Sequence, residues 1–203
     1  MDIDLVNQTV AMMNPQEQVV AEQIAQPLIR EASKLSDEEF IQQIKPRLRA
    51  HEGVALDENG NHILYKDSLG KMTGGIGHLI TPKDKKYAGK PEGTIIDPAD
   101  VARWEMEDTK TALSDAKNYL GDSWKDSSLA VKEVATNMAF NLGRTKLSQF
   151  KELRKALVSG DMQKASDEIL LNTKTGKRSK WASQVKGRAD DLAAMLNPPS
   201  SAE

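Results

Sequence analysis

Ala50-His51-Glu52-Gly53, followed by Tyr65-Lys66-Asp67-Ser68-Leu69-Gly70-Lys71-Met72-Thr73-Gly74-Gly75-Ile76-Gly77-His78-Leu79, decides the reading of this chain. Upstream, Ser36-Asp37-Glu38-Glu39 opens a helix, with Ser at the N-cap and Glu at the third helical position. Phe40/Ile41, Ile44, Leu48 and His51 then share one helical face, and Pro46 is expected to split the run in two. Gly53 is a stop, which puts Glu52 in the last turn. Downstream the helical period vanishes. Asn59-Gly60 predicts a hairpin between Val54-Ala55-Leu56 and His62-Ile63-Leu64-Tyr65, and Ser68-Leu69-Gly70 a second turn. The result is a small glycine-rich antiparallel sheet carrying Asp67 and Thr73.

Beyond it, Thr81 to Thr94 reads as loop, with Pro82, Gly89, Pro91 and Gly93. Asp97-Pro98-Ala99-Asp100 starts a long helix, with an Asp cap and Pro in the first position, running to about Tyr119. Three further apolar stripes follow: Val131, Val134/Ala135, Met138 and Leu142, stopping at Gly143; Phe150, Leu153 and Leu157, stopping at Gly160; and Met162, Ala165 and Ile169. Trp181, Val185, Leu192 and Met195/Leu196 mark a last helical region.

The expected fold class is α+β, mainly α. A small sheet lobe (about 54–80) is joined by a linking helix (about 98–119) to a helical lobe (about 127–196), within a domain covering 36–198. A cleft between the lobes suits an extended polymer. Residues 1–35 read as a helical N-terminal extension: Pro15 opens it, Val19/Val20, Ile24 and Leu28 form its stripe, and Pro27 interrupts that stripe. It reads first as a helical cap packed on the main domain, and second as a docking segment for a partner or a larger particle. Residues 199–203 are expected to be a disordered tail.

Composition narrows the function. Across 203 residues a net charge of −2 gives no general pull toward nucleic acid or a membrane surface. No cysteine is present, so disulfide and thiol chemistry are excluded. Met1-Asp2-Ile3-Asp4 is acidic and lacks a basic segment with an apolar run, so no signal peptide is expected, and no apolar run reaches the roughly 18 residues of a membrane span. No His/Cys/Asp cluster has metal-ligand spacing, so no metal or cofactor is expected. No Lys-Ser/Thr follows Gly74, Gly75 and Gly77, so they do not form a phosphate loop and serve backbone freedom in a tight sheet.

A Glu at a helix end, an Asp in a hairpin and a nearby Thr hydroxyl are the parts needed to hydrolyse a glycosidic bond. One carboxyl group protonates the leaving oxygen, and the other steers water onto the sugar. With these residues in view, the chain from about Lys45 to Leu196 resembles the phage-type lysozymes of the T-even kind. The match rests on Glu52-Gly53, Tyr65-Lys66-Asp67, Thr73-Gly74-Gly75-Ile76-Gly77-His78-Leu79 and Asn137-Met138-Ala139-Phe140-Asn141-Leu142-Gly143, and on the spacing of Trp181, Gln184 and Arg188. That family hydrolyses the β-1,4 bond between N-acetylmuramic acid and N-acetylglucosamine in bacterial peptidoglycan.

The resemblance implies that Glu52 is the general acid, and that Asp67 and Thr73 position the attacking water. It implies that His78 pairs with Asp108, that Arg188 neutralises the catalytic Glu, and that Asn137, Phe140, Asn141, Leu142 and Gln184 are substrate-binding. Asn141 stands where the family pattern has Gln.

One departure creates a rival acid. Glu52 and Asp67 are 15 positions apart, more than in the family, whereas Glu58 precedes Asp67 by nine, the family spacing. Glu58 sits in the polar turn Asp57-Glu58-Asn59-Gly60, which supplies no desolvation, while Glu52 ends an amphipathic helix. An enlarged hairpin between two fixed points accounts for the spacing and favours Glu52.

Plainer readings stand beside these. Glu105, Glu107, Asp190 and Asp191 are expected to be solvated, His62 an exposed strand residue and His51 a helix-end residue; Trp104, Trp124 and Trp181 are expected in the core. The basic run Lys174, Lys177, Arg178, Lys180, Lys186 and Arg188 is either a solvated face or an attraction for the anionic cell wall.

The expected activity is that of an inverting muramidase in bacterial cell-wall lysis, with peptidoglycan as its partner and the chain a monomer without stable membrane insertion. It would be made in a host cytoplasm and act on the periplasmic wall after release or delivery. The N-terminal extension is the candidate contact to a phage virion or lysis partner. Two alternatives are a lytic transglycosylase on the same scaffold and a non-catalytic wall-binding or virion structural protein.

Overall fold

The structure is a computed structural model that describes residues 35–197, apart from Ser68, Thr173 and Lys174. The readings for 1–34, for the tail from Pro198 and for Lys174 lie outside the described residues. The chain divides into two units, residues 1–40 and 41–203. Of the first, residues 35–40 are described. They begin α1, where Ser36 and Glu39 bond reciprocally: Ser36 N–H donates to Glu39 Oε2 at 2.9 Å, and Glu39 N–H donates to Ser36 Oγ at 3.3 Å.

Helix α1 (Asp37–His51) is continuous, so Pro46 does not split it. Pro46 is exposed while Ile41, Ile44 and Leu48 are buried, so the missing N–H falls on the solvent side, where a helix tolerates gentle outward curvature. Glu52 N–H still donates to Leu48 C=O at 3.0 Å, holding Glu52 at the helix end.

Three short strands follow, β1 (Tyr65–Lys66), β2 (Met72–Gly74) and β3 (His78–Leu79), antiparallel in that order. The expected hairpin around Asn59-Gly60 is present: Leu56 pairs with His62, and Asp57 Oδ1 accepts from Asn59 and Asn61 N–H. Ile63 also bridges to Ile95, which brings the end of the Thr81–Thr94 connection back beside the hairpin.

The sheet's two faces differ. Gly74 lies against Ile96, Leu64 and Trp104, and a side chain there would collide with Ile96. His78, the cross-strand partner of Gly74, stacks on Trp104 at 4.4 Å. Tyr65, Thr73 and Leu79 are paired across the sheet in the alternate register and therefore share the opposite face.

Helix α2 (Pro98–Leu120) begins as expected, with Asp97 accepting from Ala99 N–H and Pro98 in the first turn. Its start, with Val101 and Trp104, belongs to a small core with Leu64, Tyr87 and Ile96. Its later turns, with Ala112, Ala116, Tyr119 and Leu120, belong to a larger core with Met138, Leu153, Ile169 and Leu192. One helix therefore contributes to both lobes.

A 3-10 turn (Gly121–Trp124) leads to α3 (Leu129–Leu147), two helical segments that meet at Gly143, whose φ 68 and ψ 165 are not helical. The expected stop at Gly143 is therefore found, with a short second helical segment beyond it. Helices α4 (Lys151–Ser159) and α5 (Met162–Leu170) meet at Gly160, whose left-handed φ of 79 closes α4. A second hairpin, β4 (Leu171–Asn172) with β5 (Lys177–Arg178), leads to α6 (Lys180–Val185) and α7 (Gly187–Leu196). The last helical region is thus two helices, separated at Lys186 with φ 47.

Together these elements form a lysozyme-like α+β fold, mainly helical, with a three-stranded antiparallel sheet and a second two-stranded one. Among the described residues no helix is long and apolar enough to cross a membrane.

Candidate active site

Glu52 emerges from the end of α1 and meets α7 and the β2–β3 turn. Arg188 on α7 donates from Nη2 to Glu52 Oε1 at 2.5 Å, with side chains 3% and 17% exposed. The other carboxylate oxygen lies against Gly77: a Cβ there would sit 3.2 Å from Glu52 Oε2. Gly77 has φ +77, so both backbone conformation and the acid's proximity call for glycine.

Asp67 lies two residues beyond Tyr65. Its Oδ1 accepts from Leu69 N–H and Lys71 N–H, both at 2.8 Å, which fixes the carboxylate over its own turn. Lys71 C=O in turn accepts from Asp67 N–H and, at 3.1 Å, from Thr73 Oγ1. The Lys71 backbone, through its N–H and its C=O, therefore orients both Asp67 and the buried Thr73.

Tyr65 was not singled out as a site residue in the sequence, yet it stands between the two acids. Its hydroxyl donates to Gly53 C=O at 3.3 Å. Burial, and then the charges of Glu52 and Asp67, push its phenol above the ordinary value. Its position two residues before Asp67 and opposite Thr73 was the available clue, because alternation puts the three on one face.

Behind the sheet, His78 is held by two acids, with Nδ1 2.8 Å from Asp108 Oδ2 and Nε2 3.3 Å from Asp84 Oδ1. Burial lowers its pKa, but the hydrogen bonds and charges of Asp108 and Asp84 outweigh burial and leave it raised.

On the helical side Asn137 is 1% exposed, and its Oδ1 lies 3.3 Å from His51 Nδ1. Asn137 Nδ2 and Arg188 Nε are buried without a hydrogen-bond partner among the described residues. Asn141 is exposed and accepts from Trp181 Nε1–H at 2.9 Å; Phe140 and Leu142 pack half-buried against the helical core, and Gln184 is exposed on α6. Glu58 is exposed within the Asp57–Asn61 turn.

Two of the plainer expectations are corrected. Glu105 is not solvated: it is 4% exposed and bound by Lys45 Nζ at 2.9 Å and by Arg49 through Nε and Nη2 at 2.6 and 2.7 Å. Burial raises its carboxyl, but those bonds overcome burial and bring it below the ordinary range. His62 is half-buried, because the segment around Ile95 pairs beside it. His51 ends α1 as expected, and its side chain is 6% exposed and bridges Asn137 and Asp191. Among the described residues no group of three or more His, Asp or Glu could hold a metal ion.

The structure thus places Glu52 at a helix end against the β2–β3 turn, and Asp67 in the turn between β1 and β2. No protein-family model matches the chain. It is 29% identical over 160 residues to probable T4-type lysozyme 2 of Dictyostelium discoideum, covering 69% of this chain and 91% of that protein. It is 27% identical over 167 residues to the pre-baseplate central spike protein Gp5 of Enterobacteria phage T4, covering 74% of this chain but 28% of that protein's length. The two similarities support a phage-type lysozyme family for this chain.

Proposed function

We propose that this chain is a peptidoglycan hydrolase of the T4-lysozyme type, a muramidase that cleaves the β-1,4 bond between N-acetylmuramic acid and N-acetylglucosamine. The observation that carries the reading is Glu52, half-buried at a helix end, ion-paired through Oε1 and facing the sheet that bears Asp67 and Thr73. Glu52 donates its proton to the glycosidic oxygen, and Arg188 keeps the carboxyl in place. Asp67 commits Oδ1 to its own turn, which leaves Oδ2 for a water. The Thr73 hydroxyl, anchored by donation to Lys71 C=O, offers its lone pairs to the same water. Attack from the face opposite the leaving group inverts the anomeric centre, which calls for carboxyl groups roughly 6.5–9.5 Å apart.

The remaining parts of the proposal follow the same reading. The enzyme acts in bacterial cell-wall lysis as a monomer and reaches the periplasmic wall by release or delivery. Residues 1–35 form a separate extension to the lysozyme domain at 36–198. Similarity to a phage baseplate spike protein supports delivery within a virion, with that extension as the contact.

Mass spectrometry of the products from purified peptidoglycan tests the chemistry. Hydrolysis gives reducing N-acetylmuramic acid ends. Anhydromuramic ends would show a lytic transglycosylase, and no product would leave a wall-binding protein.

A further inference from the structure

The last turn of α1 is tied to two other helices by pairs in matching register. Arg47 Nε donates to Glu133 Oε1 at 2.6 Å, and one turn later His51 Nδ1 lies 3.3 Å from Asn137 Oδ1. Residues 47 and 51 are one turn apart on α1, as are 133 and 137 on α3. Toward α7, His51 Nε2 lies 3.0 Å from Asp191 Oδ2, beside the Glu52–Arg188 pair; 188 and 191 are again one turn apart. One imidazole thus bridges three helices.

Three facts make this bridge matter for Glu52. His51 directly precedes it in the chain. The backbone of Glu52 is held by its N–H to Leu48 C=O, which belongs to the same last turn. Gly53 follows with open space where a Cβ would be, and its C=O accepts from the Tyr65 hydroxyl at 3.3 Å, so the helix side of the acid depends on the last turn of α1. The charged groups around the imidazole are Asp191 and Arg188 from α7, Glu52 as its chain neighbour, and the Arg47–Glu133 pair between α1 and α3.

We propose that His51 is a positioning residue: it fixes the last turn of α1 against α3 and α7 and so holds the Glu52 carboxyl where the sugar bond breaks. The inference rests on the muramidase reading of Glu52. A misplacement of about 1 Å at such a group costs on the order of 100-fold in rate, so a loosened turn registers in kcat rather than in wall binding.

The test is steady-state hydrolysis of purified peptidoglycan by the full chain, its His51→Phe, His51→Gln and Asp191→Ala variants and the His51→Phe/Asp191→Ala double variant, each well below its own Tm. His51→Phe should lose about tenfold or more in kcat with KM little changed. His51→Gln, which keeps one donor, should recover part of the loss. Asp191→Ala should lose less, and the double variant should be no worse than His51→Phe, since both remove one bridge. Parental kcat in His51→Phe, or fully additive losses, would overturn the proposal. An inactive parent overturns the muramidase reading instead. The NMR resonance of Arg188 Nε–H then decides the bridge: a shift in His51→Phe supports it, and an unchanged resonance refutes it.

Discussion

Arg188 and Glu52, 136 positions apart in the chain, meet at 2.5 Å, the arginine almost wholly buried and the carboxylate at the edge of solvent. The contact fastens the helix end that bears the acid to the last helix of the chain. Arg188→Met should leave the acid without its partner and lower kcat about 100-fold, with a stability loss of about 1–3 kcal/mol. Turbidity clearing of permeabilised cells together with a thermal melt checks both; unaltered clearing would remove Arg188 from the site.

Gly77 supports the same carboxyl from the sheet side. Gly77→Ala adds a methyl 3.2 Å from Glu52 Oε2 at a residue whose φ is +77. The backbone strain should cost about 1–2 kcal/mol, measurable by urea denaturation. Activity should fall more than that loss of folded protein explains, because the new methyl displaces the acid. Ala at Gly60, also at positive φ but with open space around its Cβ position, is the matched control: similar strain, unchanged activity.

The His78–Asp108 pair predicts a pH dependence of stability. The imidazole pKa is raised above its ordinary value in the folded state, by its acidic partners. Its stabilisation is therefore fully present below pH of about 6.5 and is lost as pH rises through the folded value. Asp108→Asn should destabilise by about 1–2 kcal/mol at pH 5, discounted for the partial exposure of Asp108, and by little at pH 9. Equal destabilisation at both pH values, measured by denaturant melts, would refute the assignment.

Glu105 carries the opposite sign. Its carboxyl lies below the ordinary range when folded, so the stability it adds is present above pH of about 4.3 and is lost as pH falls through the folded value. Glu105→Gln leaves Lys45 without its carboxylate in a mostly buried setting and should cost about 3 kcal/mol near neutral pH. A melt shifted by less than a degree would return Glu105 to the surface role expected from the sequence.

The sequence was most legible where local chemistry decides structure. Ser36 with Glu39, Asp97 with Pro98, and Asn59-Gly60 each act within four residues, and the expected caps and turn are found there. Breaker signals were less even: Gly143 interrupts α3 as expected, but Pro46 leaves α1 unbroken because its missing N–H falls on the exposed side. The roles of Glu105 and His51 were hidden because their partners lie 56 and 60 residues away on one side and 86 and 140 on the other. A charged residue on a helix gives no sign that a distant chain segment will cover it. Of the proposed site, the Glu, Asp and Thr were legible as chemistry. The place of Tyr65 between the acids was not, because it depends on strand register.

The rate of peptidoglycan hydrolysis by Glu52→Gln beside Glu58→Gln tests the central assignment most directly. Both changes conserve shape, and neither residue lies in the hydrophobic core. The account predicts that Glu52→Gln abolishes hydrolysis while remaining folded and that Glu58→Gln retains the parental rate. Parental hydrolysis by Glu52→Gln, with loss in Glu58→Gln, would contradict it.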